Sequence, residues 1–243
     1  MFDSLFTVEG LIGLVTLVLM EIVLGIDNII FIAILCGFLP KKADQKRART
    51  IGLTLALVIR ILLLFTISWI IRLVNPLFYL GDFGVTGRDL ILFSGGVFLI
   101  YKTVVEIYHK LQGDGLDHGP KKRTLTVSQA ILQISLIDIV FSFDSILTAV
   151  GLSRDIVIMV IAVTISMIVM LFFAPYVSDF INHYPSLKVL ALTFLVGIGI
   201  LLVIEALHMH IDKSYVYVAM GFSLIVEILN IKIRGAHRHH KEV

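Results

Sequence analysis

Acidic side chains stand inside apolar stretches of this sequence at a repeated spacing. Glu21-Ile-Val-Leu-Gly-Ile-Asp27-Asn28-Ile lies in the first long apolar run, and Asp138-Ile-Val-Phe-Ser-Phe-Asp144-Ser145-Ile lies in a later one. Each has two acids six residues apart, with a neutral oxygen-bearing residue directly after the second. Arg60 stands about halfway along another apolar run. An acid at the centre of a membrane-spanning helix costs about 2.5–3.5 kcal/mol when it enters a bilayer, so these five groups must face one another or water. One chemistry is a structural ion-pair network around Arg60; the other is a bound cation, because four acids exceed what one guanidinium needs. Carboxylate, amide and hydroxyl oxygens suit Mg²⁺, Ca²⁺ or Mn²⁺. Neither run contains His, and the lone Cys36 cannot build a cysteine cluster, which argues against Zn²⁺ and Cu⁺.

In a straight helix, residues seven apart share a face, which groups Glu21 with Asn28 and Asp138 with Ser145, while Asp27 and Asp144 turn away by about 100°. Gly25 and Ser142, two residues before the aspartates, are where a local unwinding would turn Asp27, Asn28, Asp144 and Ser145 into a central site. Glu21 and Asp138 then lie about 9 Å along their helices from the aspartates, one on each side of that site, as gates or proton relays. Arg60 balances the charge.

The elements that must position these groups follow from composition. The 243 residues are 58% hydrophobic and only 16% charged, which excludes an ordinary water-soluble domain and predicts an all-α polytopic membrane protein. Seven spans are expected, at roughly 11–39, 51–74, 89–108, 127–152, 155–177, 187–207 and 214–233. The net charge of +2 gives no reason to expect nucleic acid as a partner. Of the 20 Lys and Arg residues, 14 fall near one set of span ends and 4 near the other. This split predicts an outside N-terminus and a cytoplasmic C-terminus; the expected location is a bacterial inner membrane.

The acidic motif makes residues 1–108 and 127–210 similar, joined by a cytoplasmic linker at 109–126. Tyr101-Lys-Thr-Val-Val-Glu106-Ile-Tyr-His109 also matches Ile200-Leu-Leu-Val-Ile-Glu205-Ala-Leu-His208. Three spans per half reverse the second half's direction, so a three-plus-three inverted repeat is expected, with a substrate site at the midplane. Residues 211–243 add a seventh helix and a basic, His-containing tail. Glu106, Glu205 and Glu227 are accessory candidates; the first two read more readily as helix-end charges meeting water, with Lys102 as a partner for Glu106.

The Glu21, Asp27-Asn28 motif paired with Asp138 and Asp144-Ser145, together with Asn75-Pro76-Leu77-Phe78 and Glu227-Ile-Leu-Asn230, resembles the TerC family of membrane proteins. That family is associated with tellurite resistance and belongs with a wider group of exporters that includes the lysine exporters. The resemblance implies export of Mn²⁺, with Ca²⁺ as the alternative, and implies that Glu21, Asp27, Asn28, Asp138, Asp144 and Ser145 form the ion site. Two positions depart from better-studied members: Ser135 stands where they carry Glu, and Leu147 where they carry Pro. The expected partners are a divalent ion, protons and the bilayer, with no prosthetic group; oligomeric state and secretion-associated partners are left open. Two other activities fit the residues less closely. One is an intramembrane acid-base enzyme using Asp27 and Asp144, for which the Gly-x-Gly-Asp signature is missing; the other is a carrier of a small organic cation.

Overall fold

The computed structural model describes residues 7–66, 74–112, 125–152, 155–209 and 211–239, giving the backbone alone at Asp144, Thr148 and several helix ends. Among the described residues, seven helices are long and apolar enough to cross a membrane. They are α1 (Val8–Gly37), α2 (Lys42–Phe65), α3 (Gly87–Gln112), α4 (Val127–Leu152), α5 (Ile156–His183), α6 (Pro185–Ala206) and α7 (Lys213–His239). Between α2 and α3, β1 (Pro76–Leu80) and β2 (Phe83–Thr86) pair antiparallel. The chain is thus an all-α, multi-pass membrane protein carrying one small hairpin.

Short polar residues set the helix starts. Thr7 Oγ1 accepts from the Gly10 amide at 3.1 Å, and Asp155 Oδ1 accepts from the Val157 amide at 2.9 Å. Helices α3 and α4 both open with reciprocal capping. Thr86 and Asp89 exchange backbone-to-side-chain bonds at 2.9 and 3.1 Å, and Thr126 and Gln129 do so at 3.1 and 3.3 Å. Each pair satisfies two amides that a helix start leaves without a partner.

Several helix boundaries differ from the sequence expectation, and one element was not expected at all. The second span was expected at 51–74, but α2 begins at Lys42, because the cationic stretch after Pro40 is rich in helix formers that an apolar window passes over. Helix α5 continues past the expected end at residue 177 to His183, through Pro175. Arg49 Nη1 donates to the Ala174 carbonyl there, at 3.3 Å. The hairpin went unforeseen: Leu77, Phe78 and Tyr79 merge with neighbouring apolar sequence, and its turn is marked only by Gly81, whose φ of +67° favours glycine.

The most extensive helix contacts are α1 with α5, α3 with α6 and α2 with α4; α7 packs chiefly on α6. In a bilayer, small residues let helix backbones approach. A Cβ on Gly96 of α3 would stand 2.7 Å from the Gly199 carbonyl oxygen of α6, and a Cβ on Gly199 would stand 2.7 Å from Ile100 Cγ1. A backbone oxygen has no rotamer to yield. Gly96→Val should therefore destabilise the detergent-solubilised protein by about 1–3 kcal/mol, seen as a lowered thermal midpoint. Gly197→Val, with nothing within 4 Å of its Cβ position, should leave the midpoint close to that of the wild type.

Candidate functional site

Helix α1 carries Glu21, Asp27 and Asn28, α2 carries Arg60, and α4 carries Asp138, Ser142 and Ser145; all seven side chains are buried. Arg60, 3% exposed, sits between two helices that each supply an acid. Its Nη1 donates to Glu21 Oε2 at 2.8 Å, and its Nη2 donates to Asp138 Oδ1 at 2.9 Å. Nε makes longer contacts with Asp138 Oδ1 and Oδ2, at 3.3 and 3.4 Å. The planar fork of the guanidinium is what allows one side chain to hold two carboxylates.

Neighbours complete the shell. Asn28 Nδ2 donates to Asp138 Oδ1 at 3.4 Å, and Ser142 Oγ donates to Asp138 Oδ2 at 3.2 Å. Ser145 Oγ donates to the Ser142 carbonyl at 3.3 Å and also interacts with the Glu21 carboxylate. Glu21 Oε1 and Asn28 Oδ1 are buried oxygens with no hydrogen-bond donor among the described residues. Buried acceptors without donors are uncommon in folded proteins.

Asp27 points elsewhere. Tyr217 of α7 donates its hydroxyl to Asp27 Oδ2 at 3.2 Å. Asp27, Ser145, Phe141, Leu202, Val216 and Tyr217 line a cavity of about 40 Å³. A water needs roughly 10–15 Å³ on this scale, so the cavity suits an ion or a few waters. Tyr217 was not singled out by sequence reasoning, which assigned the Tyr residues to packing or the membrane interface. A hydroxyl-bearing side chain just inside an apolar run was the only signal for it.

The structure therefore brings Glu21, Asn28, Arg60 and Asp138 into one cluster, with Ser145 beside it and Asp27 on the adjoining cavity. The Asp144 side chain lies outside the described residues. The expected unwinding does not occur, for α1 is helical through Gly25 and α4 through Ser142. Gly25 is instead a close-packing position, since a Cβ there would stand 2.3 Å from Met170 Sδ of α5. Glu21 and Asp138 are not set apart on opposite sides of a centre, because one guanidinium holds both. Ser135 Oγ donates back to the Ile131 carbonyl at 2.9 Å. Among the described residues, no three His, Cys, Asp or Glu side chains are arranged to hold a metal ion.

The accessory acids lie apart from this cluster. Glu205 pairs with Arg88, and Asp89 meets His208 at 2.8 Å, so the α6 acid is bound to α3 rather than to the histidine three residues after it. Glu106 lines a second cavity with Lys102, Thr103 and Gln133, with His109 and Lys188 close enough to act on its charge. Glu227 is half-buried on α7, and its Oε1 has no donor among the described residues.

Removing one partner of a buried ion cluster strands the others, at a cost of about 3–5 kcal/mol, whereas apolar replacement of the whole cluster is often neutral or better. Arg60→Leu should therefore lower the detergent melting midpoint strongly, and adding Glu21→Leu and Asp138→Leu should restore most of the loss. Equal destabilisation in the single and triple variants would show that the charges are not coupled in this way.

Comparison with other protein sequences places the chain in a family. The sequence profile of the integral membrane protein TerC family matches residues 6–242. A UPF0053 protein of Haemophilus influenzae is 46% identical over 234 residues, covering 96% of this chain and 98% of the relative. The UPF0053 inner membrane protein YgdQ of Escherichia coli K12 is 47% identical over 220 residues, covering 90% and 92%. YoaE, another UPF0053 inner membrane protein of the same strain, is 46% identical over 228 residues, covering 93% of this chain but 44% of its own length. No solved structure matches the chain. With the acidic motifs of α1 and α4 inside a match that runs almost from end to end, the chain belongs to the TerC family of integral membrane proteins.

Proposed function

We propose that this chain exports a divalent metal cation, Mn²⁺ first and Ca²⁺ as the alternative, across the bacterial inner membrane by alternating access in exchange for protons. The observation that carries this reading is a buried oxygen cluster larger than its one guanidinium requires, next to a cavity edged by Asp27 and Ser145. Glu21, Asp27, Asn28, Asp138, Asp144 and Ser145 supply the ligands, and Arg60 offsets their charge between cargoes. All are hard oxygen donors, suited to Mn²⁺ or Ca²⁺ and poorly suited to soft metals. A cavity of about 40 Å³ favours a small ion over an organic cation, whose side chain would need several times that space.

Alternating access in this reading comes from an inverted repeat of α1–α3 and α4–α6. Exchanging first for fourth, second for fifth and third for sixth helix turns the α1–α5 contact into α4–α2 and returns α3–α6 to itself. Those three are the most extensive helix contacts of the bundle. The C-terminus faces the cytoplasm in this scheme, as the 14 to 4 split of cations favours. The names of the Escherichia coli relatives support an inner-membrane location.

Export corresponds to Mn²⁺ uptake into inverted membrane vesicles. Asp27→Ala and Asp144→Ala should each lower the initial uptake rate by about 100-fold or more, beyond the loss of an outer-shell partner, with the amount of protein in the membrane unchanged. A wild-type rate in either variant would remove that aspartate from the ion site.

A further inference from the structure

The guanidinium of Arg60 hydrogen-bonds three of the four carboxylate oxygens of Glu21 and Asp138, leaving Glu21 Oε1 outside its reach. A metal ion bridging these two acids needs oxygens that Arg60 already holds. We propose that Arg60 is a tethered competitor for the transported cation: Glu21 and Asp138 hold either its guanidinium or the divalent ion, and cargo enters as Arg60 withdraws. The inference rests on the export reading and deepens it.

Asn28 points to the same exchange by a separate route. Its amide turns Nδ2 toward Asp138 Oδ1, at 3.4 Å, while the buried Oδ1 has no donor among the described residues. The side chain is 4% exposed, so solvent does not satisfy that oxygen. With Arg60 in place, the NH₂ group is the end that the carboxylate accepts. A half-turn of the amide would set its oxygen beside the Asp138 carboxylate, which is repulsive unless a cation lies between them. The Asn28 amide can therefore serve either occupant, giving a donor to the carboxylate in one state and an oxygen to the metal in the other.

Charge gives the exchange a purpose. Two buried carboxylates without a counter-charge are costly, and a guanidinium, unlike a lysine ammonium, cannot lower the cost by giving up its proton. Arg60 can leave only when another cation arrives. The site then never stands empty of positive charge, because Arg60 reoccupies the two acids once the ion has left. The apparent affinity for the ion falls by the fraction of time that Arg60 is withdrawn.

The test uses the purified full-length chain in detergent and titrates MnCl₂ calorimetrically. Arg60→Lys keeps the charge but loses the fork, so its hold on the two acids is weaker. Its apparent Kd for Mn²⁺ should drop at least about tenfold below the wild-type value, which corresponds to a wild-type site open about one-tenth of the time or less. Mn²⁺ uptake into inverted vesicles should nevertheless slow at saturating ion, because the tethered cation no longer returns promptly. In Arg60→Ala, millimolar guanidinium should raise the melting midpoint and compete with Mn²⁺, whereas equimolar tetramethylammonium should do neither. Wild-type Mn²⁺ binding together with unchanged or weaker affinity in Arg60→Lys would overturn the competition and leave the export reading intact. Absence of both Mn²⁺ and Ca²⁺ binding in the wild type and both variants would overturn the export reading and the competition together.

Discussion

A buried guanidinium fixes where three helices of this bundle must stand. The desolvation of an ion inside a protein costs several kcal/mol even after relaxation, and Arg60 is 3% exposed. It is tolerable there because Glu21 of α1 and Asp138 of α4 both reach it within 2.9 Å. That requirement ties the rotation of α1, the depth of α2 and the rotation of α4 to one another. Shape-matched apolar residues could fill the same space with no desolvation cost, so stability alone does not explain why charges stand there. The explanation has to come from what the charges do.

Helix α1 connects the charge cluster to the cavity because six residues along a straight helix is not a whole number of turns. Glu21 and Asn28, seven apart, share the face toward Arg60 and Asp138, while Asp27 is rotated by about 100° toward α6 and α7. One uninterrupted helix thus presents a paired acid on one side and a cavity-lining acid on the other. Discontinuous transporter helices gain reach by exposing backbone carbonyls, which must then find partners inside the protein. Here the reach comes from side-chain phase alone, and no backbone hydrogen bond is given up at Gly25 or Ser142.

Much of this was legible in the sequence. Acids and an arginine in apolar runs could not face lipid, so their convergence followed from cost alone, and the turn between Glu21 and Asp27 followed from helix geometry. The details that escaped share a physical cause. The start of α2 was missed because a helix end made of Lys, Arg and Gln looks like a loop to any measure of apolarity. Gly25 reads as a weak point in isolation, and only the position of Met170, far along the chain, shows that it is a packing site. The pairings of Glu205 with Arg88 and of Asp27 with Tyr217 join residues more than a hundred positions apart. Local spacing carries no trace of such contacts.

The asymmetries of the bundle bear on how it would work as a carrier. Under the proposed repeat, α5 is the counterpart of α2, yet α5 contains no Lys or Arg anywhere between Ile156 and His183. The single guanidinium therefore has no twin. Helix α7 stands outside the repeat, and it donates the Tyr217 hydroxyl to Asp27 of the first half. A symmetric pair of repeats would make the two access states mirror each other in energy. Arg60 ties the halves together through Glu21 of α1 and Asp138 of α4, whereas Tyr217 acts on the first half alone. In the proposed carrier, those two contacts would set the states apart in energy, and they are also the ones that an arriving cation would have to break.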